Sequence, residues 1–136
     1  AGGPPGSDVD FLREQLLDAC DIGLGILAPL HGAARNNELD AAVSTAVNEW
    51  QIERWVTPEP RLRASVVVTH EDADLAVDEI ARRADDKRFW QVLIPSKTNE
   101  LLGRKRYWPI YEAAVEAGLP VGIHAFGYSG WPRLPL

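Results

Sequence analysis

The sequence predicts an α/β fold built on a parallel sheet. Helical and strand patterns alternate along the chain in the order α-β-α-β-α-β-α-β. Strand starts fall near residues 22, 62, 90 and 120, and the last two intervals are about the ~30 residues of a βαβ unit. Ser65-Val66-Val67-Val68 is a continuous apolar, β-branched run, as expected of a strand covered on both faces. Right-handed crossovers then leave two architectures: an open doubly wound sheet, or four strands of a (β/α) barrel. No GxGxxG or GxxxxGK[ST] follows any strand, which removes the usual nucleotide-binding arguments for the open sheet.

Each element has a local reason. Residues 1–7 are rich in Gly and Pro and are expected to be flexible. Asp8 or Ser7 can cap a helix over roughly 9–21, with Phe11, Leu12, Leu16 and Ala19 as its apolar face and Cys20 as a small buried residue. Ile22 to Pro29 reads as a buried strand. A second helix runs from Asn37 or Glu38 to Trp55, capped by Asn37, with Leu39, Val43, Ala46, Val47 and Trp50 as its stripe. Thr57-Pro58-Glu59-Pro60 stops it. The second strand spans Arg61 to Thr69. A helix follows over Glu71 to Ala84, then a strand over Trp90 to Ser96. Tyr107 to Ala117 is helical, with Pro109 in its first turn and Gly118 at its C-cap. Leu119 to Phe126 is the last strand, and 127–136 an irregular tail. Trp50, Trp55 and Trp108 are expected to pack against strands, and Trp90 to lie in the core or at its rim.

Composition narrows the function classes. A chain of 136 residues suits one domain, taken as 1–136, and its 46% hydrophobic and 25% charged residues are ordinary for a globular protein. The net charge of −6 argues against binding to nucleic acid or anionic membrane. A single cysteine excludes an intrachain disulfide and a Cys-cluster zinc site. No apolar run reaches the ~20 residues of a membrane span, and AGGPPGSD has no signal-peptide pattern. A cytoplasmic setting is therefore the default expectation. The initial Ala and the absence of Met suggest a trimmed chain. Arg104-Lys105-Arg106 is read as the solvated start of a helix.

Ligands of parallel α/β folds bind at the carboxyl ends of the strands, and all three histidines fall there. His124 is the strongest candidate. In Val121-Gly122-Ile123-His124, alternation puts Gly122 and His124 on one face, with space beneath the imidazole. An inward histidine at the top of a strand suits a metal ligand, and a hydrogen-bonded strand-end histidine is the alternative. His31 is a candidate substrate contact on a mouth loop. His70 is placed near a helix cap, where Glu71, Asp72 and Asp74 suit the helix N-terminus. Phe126 and Trp131, with Tyr128, are candidates to line a pocket for a flat substrate, or to fill an interface.

The chain resembles the amidohydrolase-2 family of the metal-dependent amidohydrolase superfamily, which includes aminocarboxymuconate-semialdehyde and resorcylate-type decarboxylases. The resemblance rests on Ala46-Val47-Asn48-Glu49-Trp50; on Pro60-Arg61-Leu62-Arg63-Ala64-Ser65 leading into the Val-rich strand; and on Ala76-Val77-Asp78-Glu79-Ile80. It continues through Phe89-Trp90-Gln91-Val92-Leu93-Ile94-Pro95, Tyr107-Trp108-Pro109-Ile110-Tyr111-Glu112-Ala113-Ala114 and Gly118-Leu119-Pro120-Val121-Gly122-Ile123-His124, covering roughly residues 8–127. It implies a (β/α)8 TIM barrel of which these are about strands 2 to 5. It also implies a catalytic divalent metal, zinc first and manganese second, held in part by His124. The family's other ligands, a His-x-His or Glu-x-His pair and a later Asp, have no match here. The expected function is thus a fragment of a metal-dependent hydrolase or decarboxylase for a small carboxylic or aromatic substrate, in a homo-oligomer, inactive as this chain alone. A non-catalytic half-barrel that binds or oligomerises is the alternative, and a flavodoxin-like binding domain a weaker third.

Overall fold

The computed structural model describes residues 3, 6–29 and 36–125. Strands β1 (Gly25–Ile26), β2 (Leu62–Val67), β3 (Phe89–Pro95) and β4 (Val121–His124) form one parallel sheet in the order β1-β2-β3-β4. Every strand lies beside its predecessor in sequence. A doubly wound sheet reverses its direction of growth at a switch point, whereas a (β/α) barrel does not. The order therefore decides between the two architectures: this is a partial TIM barrel.

The helices start where capping chemistry allows. Helix α1 (Val9–Leu12) begins after Asp8, whose carboxylate accepts from the N–H groups of Asp10 and Phe11, each at 3.0 Å. It continues as wider π-type turns over Arg13–Asp18. The wider turn shifts the phase of the side chains. As a result Leu17 enters the core while Phe11 and Leu16 stay substantially exposed. Cys20 lies past the helix end and is exposed, not buried as expected. Helix α2 (Asn37–Gln51) is capped by Asn36 rather than Asn37, through a 2.8 Å bond from the Leu39 N–H, and runs on in π-type turns over Ile52–Val56. Helix α3 (Ala73–Arg83) is capped by Asp72. Helix α4 (Trp108–Glu116) follows a 3-10 turn over Lys105–Tyr107; Pro109 sits in its first turn, and Gly118 takes the positive φ of 68° that ends it.

The core lies between the sheet and the helices. Leu62, Ala64, Val66 and Val68 alternate toward the helices and meet Ala76 and Ile80 of α3, Ile110 and Ala114 of α4, and Val92 and Ile94 of β3. Ser65 and Val67 alternate to the other face, the barrel interior. Trp55 is buried, but Trp50 and Trp108 are 44% and 48% exposed, so two of the three helical tryptophans do not pack against strands. Trp90 lies at the rim, with the Arg63 guanidinium 5.0 Å from its ring centroid.

Helix α2 departs furthest from its periodicity. Its expected stripe is largely turned outward, with Leu39 57% exposed. The buried positions of the helix are instead Asp40, Ser44, Asn48 and Gln51. Strand β1 explains this. It pairs only as far as Leu27, whose N–H bonds the Arg63 carbonyl, against the expected run to Pro29. Beyond that point Ser65 and Val67 of β2 lose their neighbour, and α2 side chains replace it. The Asn48 amide donates to the Val67 carbonyl at 2.9 Å and accepts from the Val67 N–H at 2.8 Å. Gln51 does the same for Ser65, at 2.9 and 3.2 Å. Two carboxamides thus act as a surrogate strand, satisfying backbone groups that would be costly to bury unpaired.

Candidate functional site at the carboxyl ends of the strands

His124 ends β4 in register with Pro95 of β3, and its carbonyl accepts from the Ser96 N–H at 2.8 Å. It is half-buried. Alternation from Gly122 puts it on the interior face, as its spacing implied. The space over Gly122 is not empty. A Cβ built there would come within 2.7 Å of Gln91 Oε1, so the Gln91 side chain keeps this position only because residue 122 is glycine. The Gln91 amide donates to Ser65 Oγ at 2.8 Å, and Ser65 Oγ donates to the Leu27 carbonyl. The interior below His124 therefore holds a hydrogen-bonded chain from Gln91 of β3 through Ser65 of β2 to Leu27, just past β1, packed against Gly122 of β4.

The mouth loops are tied together by Glu71, just after β2. Its carboxylate accepts from the Asn99 N–H at 2.7 Å and from the Tyr107 hydroxyl at 3.2 Å. The Arg106 guanidinium donates to the Glu71 carbonyl and to Glu100, both at 2.9 Å. The loop after β3 is thereby fastened to the loop after β2. Burial pushes the Tyr107 hydroxyl pKa up, and the hydrogen bond to Glu100 raises that of Arg106, so both donors keep their protons across the neutral range. Glu71 is thus a loop fastener, while Asp72 takes the helix cap. His70 is buried, with Nε2 3.3 Å from Glu71 Oε1. His31, Phe126 and Trp131 lie outside the described residues, as does the expected tail.

A second polar cluster lies behind the sheet, between α2 and α3. Glu79 accepts from Asn48 and Thr45 at 2.9 Å, and pairs with Arg82 at 2.6 Å and Arg83 at 2.8 Å. Burial pushes this carboxyl up, but the hydrogen bonds from Asn48, Arg83 and Thr45 prevail and hold it below the usual range. Asn48 and Glu79 both lie in the motifs that carry the resemblance. Their structural roles were not legible there, because a polar residue on a helix reads as solvent-facing.

Among the described residues no group of three or more His, Cys, Asp and Glu is placed to hold a metal ion. His124 fits as one nitrogen ligand of an open site, and one ligand does not fix an ion. No described helix is long and apolar enough to cross a membrane.

The comparisons with known proteins agree with this geometry. No curated protein matches the chain in sequence. Among solved structures, 5-carboxyvanillate decarboxylase from Novosphingobium aromaticivorans, with bound manganese and 3-methoxy-4-hydroxy-5-nitrobenzoic acid, superposes with a TM-score of 0.76 at 25% identity, over 86% of this chain and 35% of that one. The 5-carboxyvanillate decarboxylase of Sphingomonas paucimobilis gives 0.73 at 25% identity, over 86% and 36%. A 2,6-dihydroxybenzoate decarboxylase complexed with 2,6-dihydroxybenzoate gives 0.76 at 22% identity, over 86% and 39%, and supports the fold alone. This chain thus spans little more than a third of the length of these structures. The amidohydrolase family model matches residues 1–135, and the chain belongs to the amidohydrolase family.

Proposed function

We propose that the chain forms part of a metal-dependent amidohydrolase-family enzyme that decarboxylates, or hydrolyses, a small aromatic carboxylic acid, with His124 as one ligand of a divalent cation. The observation that carries this reading is the place of His124: interior face, carboxyl end of β4, above the floor made by Ser65, Gln91 and Gly122. Ligands of parallel barrels bind at that end. The manganese and nitrobenzoate ligand of the N. aromaticivorans enzyme support a divalent metal and an aromatic acid, and favour manganese over the zinc expected first. A bound cation would supply charge to orient a carboxylate or lower the pKa of water. This chain's residues would contribute one nitrogen ligand, a polar floor and a loop after β3 held at the mouth by Glu71 and Tyr107.

A second reading, a non-catalytic half-barrel that associates through apolar faces, is favoured by the exposure of Leu39, Val43 and Trp50 on α2 and Ile123 on β4. Carbon dioxide release separates the two. The full-length protein, supplied with Mn²⁺ and either 2,6-dihydroxybenzoate or 5-carboxyvanillate, is expected to release it only with the metal present. His124→Ala is expected to lose about 100-fold or more of this activity. Equal turnover by metal-free protein or by His124→Ala would overturn the first reading, and no turnover with a stable dimer would favour the second.

A further inference from the structure

The hydroxyl of Thr69 finds no partner among the described residues. Thr69 is only 1% exposed, and its Oγ1 is buried with no hydrogen-bond partner among the described residues. The Thr69 backbone is occupied, since its carbonyl accepts from the Asp72 N–H at 3.1 Å. A buried hydroxyl left unpaired is destabilising, and such groups are uncommon enough to need an explanation.

Its position offers one. Strand β2 ends at Val67; carried two residues further, the alternation that turns Ser65 and Val67 inward and Val68 into the core would turn Thr69 toward the barrel interior. Val67 pairs with Leu93, and Pro95 with His124. Extending the β2–β3 register by two residues sets Thr69 level with Pro95, and hence with His124 two strands away. At about 4.8 Å per strand, the two side chains are separated by roughly 10 Å across the mouth. A metal ion on His124 and a single-ring acid beside it would span that gap. A second hydroxyl, Ser96 Oγ at the end of β3, is likewise buried without a partner among the described residues.

We propose that Thr69 is a substrate-contacting residue whose hydroxyl donates a hydrogen bond to an oxygen of a bound aromatic carboxylate, at the end of the site opposite His124. This rests on the functional reading above. A neutral donor suits the role: it can serve an anionic oxygen without a salt bridge that would also hold the product.

The test uses full-length protein loaded with Mn²⁺, with 2,6-dihydroxybenzoate as the probe and its affinity measured calorimetrically. Thr69→Val keeps the shape and removes the hydroxyl; it is expected to weaken binding roughly tenfold. Thr69→Ser restores the hydroxyl and should restore most of the affinity. Metal content should match wild type in both variants. The ligand-free melting temperature of Thr69→Val should not fall, because the described residues offer Oγ1 no bond to lose. An unchanged Kd in Thr69→Val overturns the inference alone. So does a lower melting temperature that Thr69→Ser recovers, since it reveals a structural partner. A wild-type protein that binds neither manganese nor the acid overturns both this inference and the functional reading beneath it.

Discussion

Gly122 and Gln91 pack closely beside the candidate site. Adding a methyl group at Gly122 would put a Cβ 3.0 Å from Gln91 Cδ and 2.7 Å from its Oε1. The side chain can swing away, but only by giving up its bond to Ser65 Oγ. Gly122→Ala should therefore cost about 0.5–1.5 kcal/mol, roughly the worth of that hydrogen bond. Adding Gln91→Ala should relieve the clash, so the double variant is expected to cost less than the sum of the two single changes in denaturant titrations. Additive effects would mean the two side chains do not meet. The interior position of Gly122 beneath His124 was legible from strand alternation alone. What fills the space over it was not, because Gln91 belongs to another strand and only the register brings the two together.

At the scale of elements, the surrogate pairing of α2 with β2 makes a sharper claim. Asn48→Ala removes both partners of Val67 and also one donor to Glu79. It should cost about 2–4 kcal/mol, since two buried backbone groups and a carboxylate lose partners together. Hydrogen exchange at the Val67 amide should speed up markedly, while that at Val92, in the middle of β3, should follow only the change in global stability. Protection of Val67 unchanged in Asn48→Ala would show that the carboxamide is not its partner. Most elements were legible from sequence. The Val-rich run, the Asp8 cap, Pro109 and Gly118 each mark a boundary by a local rule, and the structure follows them. Helix α2 was misread for a physical reason. Periodicity assigns the apolar side to the core, whereas α2 sits at an edge where β2 needs hydrogen bonds more than apolar cover. The apolar side of α1 was displaced by π-type turns, which the 3.6-residue period does not contain.

At the scale of the molecule, two buried carboxylates tie elements together, and both are held ionised. Glu59 takes hydrogen bonds from Arg61 at 2.9 Å and from Arg13 at 2.8 Å, joining α1 to the base of β2. The Arg61 bond leads in pulling its carboxyl below the usual value of 4.5, burial opposes this, and Arg13 adds to the lowering. Glu79 joins α2 to α3 with its carboxyl also below 4.5. A carboxyl depressed by folding adds stability that is fully present above its unfolded value and is lost as pH falls toward its folded one. The melting temperature should therefore be flat near neutrality and drop as pH falls below 4.5. Glu59→Gln should lower it at pH 7 and flatten the acid limb; an acid limb equally steep in that variant would contradict the assignment. The order of the four strands and their alternation with helices were legible as half of a barrel. The proposed metal site was legible only through His124, because a barrel site gathers its ligands from several strands and the described residues hold no group of three or more His, Cys, Asp and Glu placed to bind an ion.

The proposed activity requires His124 as a metal ligand. The direct measurement is the manganese and zinc content of the full-length protein by elemental analysis after dialysis, wild type beside His124→Ala, with folding of both checked by circular dichroism. Near-stoichiometric divalent metal is expected in wild type, with most of it lost in a folded His124→Ala. Equal metal content in the two proteins, or none in wild type after incubation with Mn²⁺ and Zn²⁺, would contradict it.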